Sequence, residues 1–204
     1  MSRADGARAV APGPVPDPNV GVPRALKPVL EAIDWLGRLG GWVAALCLAL
    51  LTGLILTEIG LRLLSDYIPS LPAGLRIAWE YSAYLMGTSF MGGAAMTLRA
   101  GGHIRVSVLL AQLPPRALRL LEITVSLLGT GLTAFLAYAM VDFTWGAYER
   151  GQTATSSDTP LWIPEAAMTF GAVLLALQMA ARVLRAIWGL PLEDARLKAV
   201  ANVE

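Results

Sequence analysis

Four long apolar runs separated by short polar connections set the pattern of this chain; they cover residues 39–64, 75–98, 117–148 and 162–188. About 20 mainly apolar residues, rising ~1.5 Å each along a helix, cross a bilayer. Each run therefore predicts a transmembrane α-helix. The second is the most polar, because Glu80 and the glycines Gly87, Gly92 and Gly93 lower its hydropathy. In the third, the fully apolar part ends near Val141, yet Phe135, Tyr138, Val141, Trp145 and Tyr148 carry the helical stripe onward. That helix is expected to extend beyond the membrane.

Two shorter stretches have one apolar face each. Leu26, Val29, Leu30, Ile33, Leu36 and Leu39 recur at helical spacing, with Lys27, Glu31, Asp34 and Arg38 elsewhere on the wheel. This predicts an interfacial helix leading into the first span. Val106, Leu109, Leu110 and Leu113 form a second stripe, stopped at Pro114–Pro115. Pro115 suits the first turn of the third span, where a missing N–H costs nothing. Residues 1–25 hold five prolines and no apolar core, as expected of a disordered arm and not of a secretory signal. Residues 26–190 then form the four-helix transmembrane domain, and residues 191–204 a tail. The expected fold class is an all-α integral membrane protein with four transmembrane helices and short interfacial amphipathic helices.

Basic residues orient the spans. Arg3, Arg8, Arg24, Lys27 and Arg38 precede the first; Arg99, Arg105, Arg116 and Arg119 lie between the second and third. Arg182, Arg185, Arg196 and Lys198 end the chain, leaving only Arg62, Arg76 and Arg150 beside the other two connections. Both termini and the middle loop are therefore expected in the cytoplasm (N-in, C-in). The 65–74 and 150–161 loops are expected outside, with Tyr138, Trp145, Tyr148 and Trp162 in the outer aromatic belt.

Composition narrows the function classes. The chain of 204 residues is 55% hydrophobic, 15% charged and of net charge +1, with a mean hydropathy of +0.57. Soluble domains carry ~25% charged residues, and nucleic-acid binding needs a basic face that this charge does not supply. The single cysteine, Cys47, lies among Ala and Leu and reads as a packing residue. One histidine, His103, is too few for haem ligation or a metal site. No Gly-x-Ser-x-Gly elbow accompanies it. At mid-depth the main polar candidate is Gln178, and no chain of titratable groups that could relay an ion is legible. No catalytic, cofactor-binding or metal-ligating residue is expected. Ala83 and Gly87, Gly53 and Thr57, and Gly129 and Thr133 are small residues spaced by four, a pattern of close helix packing.

The remaining polar positions are candidates for contact with a partner. Glu58 and Arg62 are spaced i, i+4, with the acid first, the better orientation for a helical pair. Glu80 follows Arg76 by one turn and has three options: that arginine, water, or Glu58 and Arg62 on the neighbouring helix. The middle loop offers Arg99, Gly102, His103 and Arg105, in which glycines permit tight backbone turns and arginines offer planar donors to a partner or to lipid phosphates. A small membrane enzyme or self-assembling channel is the alternative class; it would require a polar cluster or a polar helix face.

Four segments carry a family resemblance over roughly Leu36 to Leu190. They are Glu58-Ile59-Gly60-Leu61-Arg62; Trp79-Glu80-Tyr81-Ser82-Ala83-Tyr84-Leu85; the Arg99–Val106 loop followed by Leu113-Pro114; and Gln152-Thr153-Ala154-Thr155-Ser156 leading into Pro160-Leu161-Trp162-Ile163-Pro164. In order and spacing the chain resembles the small, DctQ-type membrane subunit of TRAP (tripartite ATP-independent periplasmic) transporters. Ser107 departs from the family pattern, in which an acid is common. The resemblance implies a scaffold in the bacterial inner membrane that supports a large permease subunit. A periplasmic binding protein would deliver an organic acid, with uptake driven by an ion gradient, usually sodium. It also implies that Glu58, Arg62, Glu80, Trp162 and Pro164 lie near the outer partner surface.

Overall fold

The computed structural model describes Asn19 and residues 21–101 and 114–198. Four long helices account for most of them: α1 Lys27–Ser65, α2 Ala78–Ala100, α3 Pro115–Glu149 and α4 Trp162–Trp188. A single turn, α5 Ala195–Lys198, follows. No strand occurs among the described residues beyond an isolated antiparallel bridge between Thr153 and Pro160. The fold is all-α, and α1, α3 and α4 are long and apolar enough to cross a membrane. The second predicted span, α2, does not reach the same apolarity. Its place in the packing explains why, since α1 and α4 flank it on two sides.

The helices lie in a row, α1–α2–α4–α3, and not in a closed bundle. α1 also touches α4 near its own start, whereas α3 packs on α4 alone among the described helices, apart from at most marginal contact. One end of the row, here called the base, gathers the start of α1, the ends of α2 and α4 and the start of α3. Arg99 and Arg185 reach Asp34 there, and Arg119 Nη2 donates to the Ile187 carbonyl.

α1 corrects one expectation. The stretch 26–39 is not a separate interfacial helix but the opening turns of α1 itself. Pro28 sits in the first turn, where proline is tolerated, and no breaker follows before Pro69. Gly40 and Gly41 do not interrupt the helix because they are needed for packing. A Cβ at Gly40 would lie 2.8 Å from the Gly92 carbonyl oxygen, and one at Gly41 would run into the Met96 sulfur. The 39 residues span ~58 Å, almost twice a hydrocarbon core of ~30 Å. The second amphipathic stretch, 106–113, lies outside the described residues.

Small residues set the helix crossings. Gly92 of α2 faces Gly40 of α1, and a Cβ at Gly171 of α4 would lie 2.5 Å from the Met91 carbonyl carbon. Three helices thus meet backbone to backbone at one level. Of the spaced pairs, Gly87 abuts Met168 and Gly129 abuts Met179, but nothing lies within 4 Å of a Cβ at Gly53. Thr57 and Thr133 return their hydroxyls to the carbonyls of Gly53 and Gly129 on their own helices. α3 begins at Pro115 and does run past Val141 to Glu149.

Candidate functional site

Polar side chains concentrate at the two ends of the row. At the base, Asp34 is the centre. It lies one turn after Leu30 and one before Gly37, both buried, so it shares the face of α1 that meets α2 and α4. Arg185 Nη2 donates to Oδ1 and Oδ2 of Asp34, each at 2.9 Å. Arg99 approaches from α2, its Nε 3.3 Å from Oδ1 and its Nη2 3.5 Å from Oδ2. Gln178 Nε2 donates to Oδ1 and to the Ile33 carbonyl, both at 3.2 Å. One carboxylate therefore ties three helices together. The two guanidiniums are 3% and 1% exposed and Asp34 13%.

The segment after α4 is held by the same group. Gly189 caps α4 in the left-handed region at φ +67°, and Leu190 N–H returns to the Arg185 carbonyl. Gly101 ends α2 in the same way at φ +74°. Arg99 Nη1 then donates to the Pro191 carbonyl, and the Arg99 carbonyl accepts from Asp194 N–H at 2.9 Å. Asp194 itself receives Arg196 through Nε, Nη2 and the backbone N–H. Burial alone pushes the Asp194 carboxyl up; the hydrogen bonds and charge of Arg196, with the charge of Arg99, outweigh it and hold the group below its ordinary value.

At the opposite end, Glu58 pairs with Arg62 at 3.4 Å, with Arg62 largely in solvent. Glu58 Oε2 also accepts from the Leu75 backbone N–H, which fastens the α1–α2 connection. Glu80 pairs neither with Arg76 nor with Glu58 or Arg62 among the described residues. Its Oε1 accepts from Ser156 N–H at 2.7 Å and its Oε2 from the Ser157 hydroxyl at 2.8 Å. Tyr81 Oη lies 3.0 Å from Thr159 Oγ1. The first turn of α2 thus grips the loop between α3 and α4, which the Thr153–Pro160 bridge closes. Two sequence segments 76 residues apart, one around Glu80 and one around Ser156, form a single unit.

Of the other expected partner residues, Trp162 is partly exposed and stacks edge-on with Tyr148 at 5.7 Å between ring centres. It lines an apolar groove of about 500 Å³ between α3 and α4 with Trp145, Tyr148 and Phe170. Pro164 is buried within the chain. Arg99 belongs to the last turn of α2 and not to an open loop. Gly102, His103 and Arg105 lie outside the described residues. Asp34, Arg185, Asp194 and the two serines were not anticipated. The signal for Asp34 was its place in the 3–4 spacing of Leu30, Gly37, Gly40 and Ala44, all buried in the fold. No group of three or more His, Cys, Asp or Glu side chains suited to hold a metal occurs among the described residues.

Comparison with curated proteins and with solved structures returned no match. A family profile described as "Tripartite ATP-independent periplasmic transporters, DctQ component" matches residues 51–189, which include the C-terminal part of α1 and all of α2, α3 and α4, with the loop that Glu80 grips. An apolar row of helices with polar clamps at its two ends suits such a membrane component. The chain belongs to the DctQ family, the small membrane component of TRAP transporters.

Proposed function

We propose that this chain is the scaffold on which the large permease subunit of a TRAP transporter is held in the bacterial inner membrane. All four long helices span, the base faces the cytoplasm, and the 65–74 and 150–161 loops face the periplasm. The transport site belongs to the large subunit, and a periplasmic binding protein delivers an organic acid to it. Uptake is driven by an ion gradient, sodium being the usual one. The observation that carries this reading is the family match over residues 51–189. The row arrangement supports it, because it leaves broad apolar faces on α1 and α3 uncovered by the chain's own helices. Leu128, Leu132, Phe135 and Tyr138 of α3 are each at least two-thirds exposed. The distribution of Lys and Arg supports the orientation.

The partner residues divide by what they touch. Trp162 and Arg62 are exposed and available for direct contact. Glu80, Arg99 and Pro164 act from inside, by fixing the outer loop and the base. The test is uptake of a labelled organic acid into vesicles holding the large subunit with its binding protein and an imposed sodium gradient. Uptake that needs this chain is expected; equal uptake without it would contradict the proposal.

A further inference from the structure

At the base, beside the Asp34 cluster, lies a polar cavity of about 380 Å³, roughly the space of a dozen liquid waters. Arg38 of α1, Arg99 of α2 and Arg196 of α5 line it, with the carboxylates of Glu31, Asp34 and Asp194. Each carboxylate already has a cation. Lys27 lies 3.8 Å from Glu31, Arg196 binds Asp194, and Arg99 and Arg185 share Asp34. Arg38 has no ion pair among the described residues. The lining itself holds three arginines and three carboxylates; with Lys27 and Arg185, which do not line the cavity, five cations stand against these three carboxylates and that of Glu193 beside Gly101, and the excess is positive.

That excess is partly buried. Arg99 is 4% exposed, and neither its Nε nor that of Arg185 donates a hydrogen bond within the chain. Buried guanidiniums that share one carboxylate leave positive charge uncompensated, which is costly away from water. An anion in the cavity would relieve that cost. Guanidinium forks match phosphate oxygens in two-pronged geometry. Trp35, 57% exposed on the cavity wall, is the residue type that sits at headgroup depth.

We propose that this cavity is a phosphate site, formed by Arg38, Arg99 and Arg196, and that it takes the glycerophosphate headgroup of an anionic phospholipid. The choice of a lipid as the phosphate's source rests on the membrane placement proposed above; the site itself rests on the charges and the cavity. Arg99 would supply the buried donor, Arg38 and Arg196 the outer two, and Trp35 would flank the glycerol.

The test uses the full chain, purified in mild detergent, without any partner subunit or uptake, so its result is independent of the scaffold reading. Native mass spectrometry counts bound phosphatidylglycerol in the wild type and in an Arg38→Gln/Arg196→Gln variant, and inorganic phosphate is titrated as competitor. Both substituted side chains are at the surface, and the single Arg38→Gln variant serves if the double variant fails to fold. One phosphatidylglycerol held by the wild type, lost from the variant and resistant to millimolar phosphate supports the lipid site. Saturable displacement by phosphate, itself lost in the variant, supports the same site with free phosphate as its source. Equal lipid retention by both proteins, with phosphate binding to neither, would overturn the proposal.

Discussion

Asp34 shows most directly how single residues hold this chain together. Its carboxylate receives Arg99, Arg185 and Gln178 from two other helices. Asp34→Ala would leave both guanidiniums buried without the carboxylate that pairs with them. Breaking a buried pair in this way costs about 3–5 kcal/mol, so thermal unfolding in detergent should shift sharply downward. An unchanged midpoint would show that the cluster is not a structural tie. Asp194 gives a pH dependence. Its carboxyl lies below the ordinary value in the folded chain, so its contribution to docking the 190–197 segment is fully present above the unfolded value of about 3.9. The contribution fades as pH falls below that value, through the lower folded one. Amide exchange of the segment should accelerate only in that acid range, and a loss of protection near neutrality would contradict the assignment. These residues were the least legible in the sequence. Arg99 and Arg185 read as positive-inside charges and Asp34 as the polar side of an amphipathic turn, because helical spacing alone does not reveal which face meets a neighbour.

The helices themselves were legible because their length and apolarity leave few alternatives, whereas their crossings were not. Three of the four runs appear as helices apolar enough to span; the fourth, α2, is shielded by its neighbours and so carries more polar residues. The crossing of α1, α2 and α4 rests on Gly40, Gly92 and Gly171, none of which belongs to the anticipated small-residue pairs. Gly171→Ala would place a methyl group 2.5 Å from the Met91 backbone, which cannot turn away as a side chain can. Overpacking of this kind costs about 1–3 kcal/mol. Gly53→Ala meets open space, and helix propensity then favours alanine by about 0.5–1 kcal/mol. Opposite shifts of the unfolding midpoint are therefore expected from the same chemical change; a loss at both positions would disprove this account of the crossing. The loop between α3 and α4 is a similar case. Glu80→Gln weakens the acceptor for Ser156 and Ser157, so exchange of the Ser156 amide should rise with little change inside α2. The sequence displayed both segments but not their contact, since they lie 76 residues apart.

At the scale of the whole molecule, the chain is an open row of helices. Among the described helices α1 is bound by α2 and, near its start, by α4; α3 packs on α4; and both α1 and α3 carry exposed apolar faces. Membership of the DctQ family places this row in a transporter of several components, and the scaffold role proposed for it assigns those faces to the large permease subunit and to lipid. The most direct test of that claim is purification of the tagged chain from its native host in mild detergent, with mass spectrometry of the proteins that accompany it. The account predicts a large multi-span membrane protein in fixed stoichiometry with the chain. Recovery of the chain alone, or only as a homo-oligomer, would contradict it.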